Sequence, residues 1–88
     1  MSDVWSALSD GTRREILSML RSRDMTAGEI AEHFSLSKAT VSHHLSILKQ
    51  AGLIAGDKKA QTITYSLNTT VFQDFLKSVM AFMNKEGE

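Results

Sequence analysis

The residues with the most distinctive chemistry lie between positions 37 and 46, where hydroxyl, imidazole and ammonium groups alternate with small side chains. A helix turns about 100° per residue, so Val41, Leu45 and Leu48 share one apolar face of this segment. The opposite face is small and polar, which suits a DNA major groove about 12 Å wide and brings short donors to base edges. The segment therefore predicts a DNA-recognition helix with the candidate contacts Ser37, Lys38, Ala39, Thr40, Ser42, His43 and Ser46.

A merely solvated helix face is the alternative interpretation of this pattern. Solvated faces usually carry Glu, Lys and Gln, whereas this one carries Ser, Thr, Ala and His, which favours groove recognition. Neighbouring helical residues diverge by about 100°, so His44 should lie at the core margin while His43 points outward. The same divergence prevents the two histidines from chelating one metal ion. His33 is expected to be a partly exposed capping residue near the turn.

Two further groups could contact phosphate. Ser37 and Lys38 lie at the amino end of the recognition helix, where free amides and the helix dipole favour an anion. Lys58 and Lys59, supported by Gln61 and Thr62, lie in a polar segment that is predicted to be a hairpin tip over 56–61. Two lysines at a tip could serve solubility alone, but beside a recognition helix they favour a phosphate clamp.

Charge is unevenly distributed, although Lys+Arg 10 and Asp+Glu 10 cancel over the 88 residues. Residues 37–66 carry four lysines and one aspartate, a net charge of +3, against −2 for residues 1–36 and −1 for residues 67–88. A phosphate backbone senses the local patch, so zero net charge is compatible with a nucleic-acid partner. For Arg13 and Arg14 the sequence leaves open a contact with DNA or a pairing with nearby carboxylates, Asp10 or Glu15.

Several classes of protein are excluded. The chain has no cysteine, which rules out a disulfide, a thiolate metal site and a thiol nucleophile. No apolar run approaches the roughly 18 residues of a membrane span, and Asp3 stands where a signal peptide would be basic, so a cytoplasmic location is expected. No nucleophile–base pair, glycine-rich phosphate loop or paired carboxylates suggests an enzyme, and no cofactor or metal is predicted.

Short, well-capped helices are predicted to position the candidate contacts. A first helical turn or two ends near residue 10, and the second helix begins at a capping box of Thr12 with Glu15, or at Asp10 as the alternative cap. Thr26 and Glu29 form a second capping box, which begins the third helix. The sequence therefore predicts three helices before the recognition helix.

The recognition helix and the elements after it are also marked by their termini. Ser37 can cap the fourth helix, and Gly52 supplies its left-handed end. Residues 62–67 then alternate in polarity, which predicts a strand that pairs with residues 53–55 in a hairpin. Thr70 with Gln73 is expected to cap a fifth helix that reaches about residue 84.

The last helix carries an apolar stripe broader than one small domain can cover. From Phe72, apolar residues recur at helical spacing as far as residue 83, and Val71 and Phe82 widen the stripe. Some of these apolar residues must belong to the core of the domain. The remaining ones, together with apolar residues of the first helix, predict a homodimer interface. The interface candidates are Val4, Trp5, Leu8, Phe72, Phe75, Leu76, Val79, Met80 and Met83.

Two helices joined by a tight turn and followed by a hairpin make a winged helix-turn-helix. The run TAGEIAEHFSLSKATVSHHLSILKQAGL, from residue 26 to 53, resembles the DNA-binding core of the ArsR/SmtB family of bacterial repressors. SDGTRREIL at 9–17 is similar to that family's second-helix opening, although Gly11 replaces the usual proline, and YSLN at 65–68 resembles the end of its wing.

The predicted fold is a single dimeric domain over 1–88, mainly α with a small β-hairpin, in the order α-α-α-α-β-β-α. Its helix-turn-helix spans 26–51, its wing spans 53–67, and its dimerisation helices span 1–9 and 70–85.

The resemblance implies a homodimeric transcriptional repressor that binds an inverted-repeat, double-stranded DNA operator, with its own promoter as an expected target. Many family members sense metals through cysteines before the turn or through histidine-containing sets on the last helix. Residues 25–34 hold no cysteine and no histidine follows residue 68, so neither site carries over. Release is then expected from a sequestering protein, a small ligand at the dimer seam or dilution of the repressor. The alternatives are a winged-helix protein-interaction module and a repressor released by an unrecognised metal or small ligand.

Overall fold

The computed structural model describes residues 3–87, which form five helices and three strands. Met1, Ser2 and Glu88, which belong to the predicted ranges 1–88 and 1–9, lie outside the described residues. The helices are α1 (Asp3–Ala7), α2 (Gly11–Ser22), α3 (Ala27–His33), α4 (Lys38–Gln50) and α5 (Thr69–Gly87), and the strands are β1 (Met25–Thr26), β2 (Ile54–Lys59) and β3 (Thr62–Leu67). The prediction of a mainly helical winged helix-turn-helix is confirmed.

The sheet has one more strand than the sequence predicted. Its order is β1-β3-β2, and both pairings are antiparallel. β1 consists of Met25 and Thr26, which pair with Tyr65 and Thr64 of β3. The predicted element order, which has no strand at this position, was therefore wrong. The strand could not be predicted because two residues are too few to show an alternating pattern. The extra pairing ties the start of the helix-turn-helix to the wing.

The hairpin tip is much shorter than the predicted segment 56–61, because β2 and β3 continue until only Ala60 and Gln61 separate them. Ala60 has a φ of 56°, a left-handed conformation usually reserved for glycine or asparagine, so the turn has no sequence signal. Gly56 suggests a turn but lies within β2, where an added Cβ would approach the Tyr65 ring to 3.2 Å. Here the glycine permits close packing inside the strand.

The core draws on each of the first six elements, α1 to β2, and on Leu53 in the loop between α4 and β2. Apolar burial is worth about 1.5–3 kcal/mol for a large aliphatic side chain, so these positions dominate the stability of the domain. The buried hydrophobic residues are Ala7, Ile16, Leu17, Leu20, Met25, Ile30, Val41, Leu45, Leu48, Leu53 and Ile54.

Asp10 caps α2, and the alternative capping box of Thr12 with Glu15 is not formed. The Asp10 carboxylate accepts a hydrogen bond from the Arg13 amide at 3.1 Å, and this bond is the main cause that lowers the pKa of Asp10. The Glu15 carboxylate instead lies 3.3 Å from Nε2 of His33. His33 is the last residue of α3 and pairs with that carboxylate, so its predicted capping role was wrong.

The capping box at the start of α3 is confirmed. The Glu29 amide donates to the Thr26 hydroxyl at 3.2 Å, and the Thr26 amide donates to the Glu29 carboxylate at 2.9 Å. That second bond is the main cause that lowers the pKa of Glu29, and Arg23 adds a smaller effect. The first helix of the helix-turn-helix therefore begins at the predicted residue.

Both ends of α4 agree with the sequence, whereas α5 begins differently. Ser37 caps α4, and Gly52 follows it at a φ of 79°. The amides of Gly52 and Leu53 donate to the carbonyls of Lys49 and Leu48, a Schellman motif. At α5 the expected cap was Thr70, but the Asn68 carboxamide accepts from the Val71 amide at 3.3 Å, so the cap lies two residues earlier and the helix begins at Thr69.

Gly52→Ala is expected to destabilise the protein by about 1–2 kcal/mol, because a Cβ is strained in the left-handed conformation. Gly28→Ala is the matched control: it lies inside α3, where an added Cβ would have its nearest contact at 3.9 Å, and it should stabilise the helix by about 0.4–1 kcal/mol. Urea unfolding midpoints measure both effects. Shifts in the same direction would contradict the assigned role of Gly52.

Candidate nucleic-acid interface

The outer face of α4 is exposed along its amino-terminal half. Its inner face is held in the core by Val41, Leu45 and Leu48, which are all buried. Because these anchors fix the rotation of the helix, the polar side chains between them face away from the domain. Every predicted contact on this segment is exposed: Ser37, Lys38, Ala39, Thr40, Ser42, His43 and Ser46.

The first turn of α4 is ordered by its own hydroxyl groups. The Ser37 hydroxyl accepts from the Thr40 amide at 3.1 Å and lies 2.9 Å from the Thr40 hydroxyl. These contacts restrict the rotamers of both side chains before any ligand arrives. No acidic residue lies in this turn, and Lys38 adds a positive charge, so nothing in it opposes an anion at the helix terminus.

The two histidines of α4 occupy different environments, as expected. His43 is exposed on the outer face, whereas the His44 side chain is only 13% exposed. Nδ1 of His44 lies 3.2 Å from a terminal nitrogen of Arg13 and 3.9 Å from the Asp10 carboxylate. His44 therefore joins the packed framework of the domain, and His43 is left available to a ligand.

Arg13 and Arg14 form neither of the carboxylate pairs considered for them. Nε of Arg13 donates to the Ala7 carbonyl at 2.7 Å, and a terminal nitrogen donates to the Ser6 carbonyl at 3.2 Å. Arg14 donates to the Leu8 carbonyl at 2.8 Å. The two guanidinium groups thus bind backbone carbonyls at and just after the end of α1, where a helix leaves carbonyls without intrahelical partners. The Ser6 carbonyl also accepts from the Ser9 amide at 3.1 Å. Sequence spacing could not show this, because the acceptors are backbone atoms of another helix.

The two lysines of the wing lie on opposite faces of the hairpin. Lys58 pairs with Ile63, and Lys59 pairs with Thr62. Paired residues in an antiparallel ladder share a face and successive residues alternate, so Lys58 shares the face of Ile63 while Lys59 lies on the other. Both side chains are exposed. A wing contact would therefore involve the two lysines unequally.

An open cleft of about 410 Å³ lies between the wing, α4 and the start of α3. Of the predicted contacts it brings together Ser42 from α4 with Gln61 and Thr62 from the wing. Its other lining residues are Thr26, Ala27, Gly28, Ile63 and Tyr65. The start of α3 was not predicted to belong to the site, and its only signal is that these residues are small. Lys58 and Lys59 do not line the cleft.

The predicted dimer residues divide into two groups. Val4, Leu8 and Phe72 are partly buried against the core of their own chain. Trp5 and Met80 are 64% and 61% exposed, and Leu76 and Met83 are also exposed. The Trp5 ring packs edge-on against Phe75 at a centroid distance of 4.9 Å. Phe75 and Val79 are half-buried, and Phe82 adds to the exposed apolar surface.

Within residues 3–87, no helix has both the length and the apolar character needed to cross a membrane. In the same part of the chain, no three His, Cys, Asp or Glu side chains come close enough together to hold a metal ion.

Comparison with known proteins supports the architecture. Residues 10–55 match the model of the bacterial regulatory protein family arsR. The transcriptional repressor SdpR of Bacillus subtilis is 56% identical over 85 residues, which cover 97% of this chain and 94% of that protein. The arsenical resistance operon repressor of Staphylococcus aureus is 32% identical over 90% of this chain and 76% of its own length.

Solved structures agree with this assignment. An ArsR-like transcriptional regulator from Rhodococcus sp. RHA1 superposes with a TM-score of 0.87 and 27% identity, covering 98% of this chain and 79% of that one. HlyU from Vibrio cholerae gives a TM-score of 0.76 and 29% identity, covering 91% of this chain and 87% of that one. The chain belongs to the arsR family of bacterial regulatory proteins.

Proposed function

We propose that this protein is a transcriptional repressor that binds a double-stranded DNA operator as a homodimer. The observation that carries the proposal is the exposed row of short donors on α4, held outward by a buried apolar face and flanked by the wing across one cleft. A relative that shares 56% of its residues is a transcriptional repressor. The protein is then not an enzyme, and it acts in the bacterial cytoplasm, where the DNA is.

Groove recognition is assigned to the amino-terminal half of α4. Ser42, His43 and Ser46 are exposed and short enough to bring donors and acceptors to base edges, which is the geometry that distinguishes base pairs in the major groove. Ala39 and Thr40 would lie against the groove wall. Ser37 and Lys38 at the helix terminus would bind phosphate and fix the register of the helix.

The wing is assigned to the phosphate backbone. Lys58 and Lys59 supply the charge, and Gln61 and Thr62 supply uncharged donors beside α4. Lys58 shares the sheet face of Ile63 and Tyr65, which both line the cleft, whereas Thr62 alone lines it from the β3 residues on the face of Lys59. We therefore assign Lys58 the larger part of the contact. These contacts set affinity and position, whereas α4 sets sequence preference.

Dimerisation is assigned to α1 and α5. Trp5, Leu76, Met80 and Met83 expose apolar surface that a second copy of the chain would cover. Two-fold symmetry would place two copies of α4 in successive turns of one DNA face, about 34–36 Å apart, and the operator would be an inverted repeat. One candidate target is the promoter of the protein's own gene.

Release of the repressor is assigned to a protein partner. The family's metal ligands do not match this chain, so another signal is needed. Apolar residues outside the proposed dimer interface, such as Phe82, which is 64% exposed, offer a surface to a sequestering protein. A small ligand is the second candidate, because an apolar cleft of about 250 Å³ between α2 and α5 is lined by Leu17, Phe72 and Phe75.

Selection of DNA from a random pool tests the function directly. The protein should enrich an inverted repeat with half-sites about 10 base pairs apart. His43→Ala should weaken binding to that duplex by about 1–3 kcal/mol and relax the preference at one position in each half-site, because one base-edge contact is lost. Gln50→Ala, at the carboxyl end of the same helix, should retain the parent's affinity for the duplex and its sequence preference. Failure of the parent protein to enrich any sequence would favour the protein-interaction module.

Replacing Lys58 and Lys59 by Ala should reduce the slope of log affinity against log salt by up to about 1.8, since each lost phosphate contact is worth about 0.9. The single variant Lys58→Ala should account for more than half of this change. Sequence preference should be retained. Lys77→Ala on α5 removes the same charge and should leave the slope unchanged. An unchanged slope in the double variant would show that the wing does not touch the backbone.

Met80→Glu should convert the dimer to a monomer of 9.8 kDa, because it buries an unpaired charge in the proposed interface. Met80 is exposed in the single chain, so the monomer should stay folded. Sedimentation equilibrium measures the mass, and operator affinity should fall with it. Gln73→Glu adds the same charge at another exposed position of α5 and should remain dimeric. A Met80→Glu monomer with the parent's affinity would remove the dimer from the mechanism.

A further inference from the structure

Arg13 lies where three helices meet. From the first turn of α2, its side chain donates to the carbonyls of Ser6 and Ala7 at the end of α1. A terminal nitrogen of the same guanidinium lies 3.2 Å from Nδ1 of His44 on α4. One side chain therefore joins α1, which we assign to dimerisation, to α4, which we assign to DNA.

The chemistry of the two groups fixes the direction of the contact with α4. A guanidinium has five N–H donors and no acceptor, so Nδ1 of His44 must accept the bond. For Nδ1 to accept, the ring proton lies on Nε2, and the bond at Nδ1 holds the ring in one orientation. The His44 side chain is 13% exposed, and the Asp10 carboxylate lies 3.9 Å from the same Nδ1. The Arg13 contact and the burial of the ring resist rotation of α4 about its axis.

The neighbouring Arg14 shows what a purely local role looks like. Its guanidinium donates to the Leu8 carbonyl at 2.8 Å, and this contact does not reach α4. Both arginines follow Asp10 in the same turn, and both satisfy the end of α1. Only Arg13 adds the contact to the recognition helix.

We propose that Arg13 is a positioning residue for DNA recognition, which sets the angle between the dimerisation helix α1 and the recognition helix α4 through His44. The proposal rests on the proposed function of α4. In a dimer, the two copies of α4 must match half-sites at a fixed separation. A small rotation of α4 in each subunit therefore misaligns the contacts with both half-sites. Arg13 acts through His44 and does not itself contact DNA.

The test uses the selected operator duplex, a random-sequence duplex of equal length and the variants Arg13→Met and Arg14→Met. Arg13→Met should bind the operator about tenfold more weakly, the equivalent of one or two hydrogen bonds. Its affinity for random duplex and its salt slope should match the parent, because no phosphate contact is lost. Arg14→Met should bind both duplexes as the parent does.

Substitutions at His44 provide the second arm and avoid removing the α1 contacts. His44→Asn keeps an acceptor near the Nδ1 position and should retain operator affinity, whereas His44→Leu removes it and should reproduce the tenfold loss. Arg13→Met combined with His44→Leu should lose no more than either single variant, since both break the same contact.

Three results would overturn the proposal. A salt slope lowered by about 1, with equal loss on both duplexes, would make Arg13 a direct phosphate contact. A lower melting temperature with unchanged operator affinity of the folded protein would make its role structural only. Equal affinities of His44→Asn and His44→Leu would separate His44 from recognition. Absence of any selected sequence with the parent protein would instead reject the proposed function, and the positioning role with it.

Discussion

The packing of Val41, Leu45 and Leu48 against the core decides which side chains of α4 are exposed. Each buried aliphatic group is worth about 1.5–3 kcal/mol, and the three together outweigh any single polar contact on the outer face. The apolar face therefore sets the rotation of the helix, and the polar face follows from it. Recognition chemistry on this protein depends on a packing constraint that involves none of the proposed DNA contacts.

The neighbouring elements refine that constraint. β1 ties the start of α3 to the wing through its pairing with β3, and the Schellman motif at Gly52 turns the chain directly from α4 into β2. The wing and the recognition helix thus share one framework, and Ser42 and Thr62 border the same cleft. At the other end of the domain, Arg13 joins α1 to α4. A change at α1 has a short path through Arg13 to the proposed DNA-facing surface of α4.

Much of this arrangement could be predicted because it is local. A 3.6-residue period identified the anchors of α4, and glycine chemistry identified its end. The rest depends on tertiary contacts or unusual residues. β1 is too short to show a period, Gly56 serves packing where it suggests a turn, and Ala60 occupies a conformation that alanine rarely adopts. The partners of Arg13 lie on two other helices, so no spacing along the chain could reveal them.

The central claim, that α4 enters the major groove in two copies, can be measured with one chemical probe. The chain has no cysteine, so Ser42→Cys introduces a single thiol on the outer face of α4 that can carry an iron chelate. Bound to the selected operator, this protein should cut the DNA within the major groove at two positions about one helical turn apart. Diffuse cutting would contradict the claim that α4 enters the major groove. The same would follow if a chelate at Ser78→Cys on α5 gave the same cutting pattern.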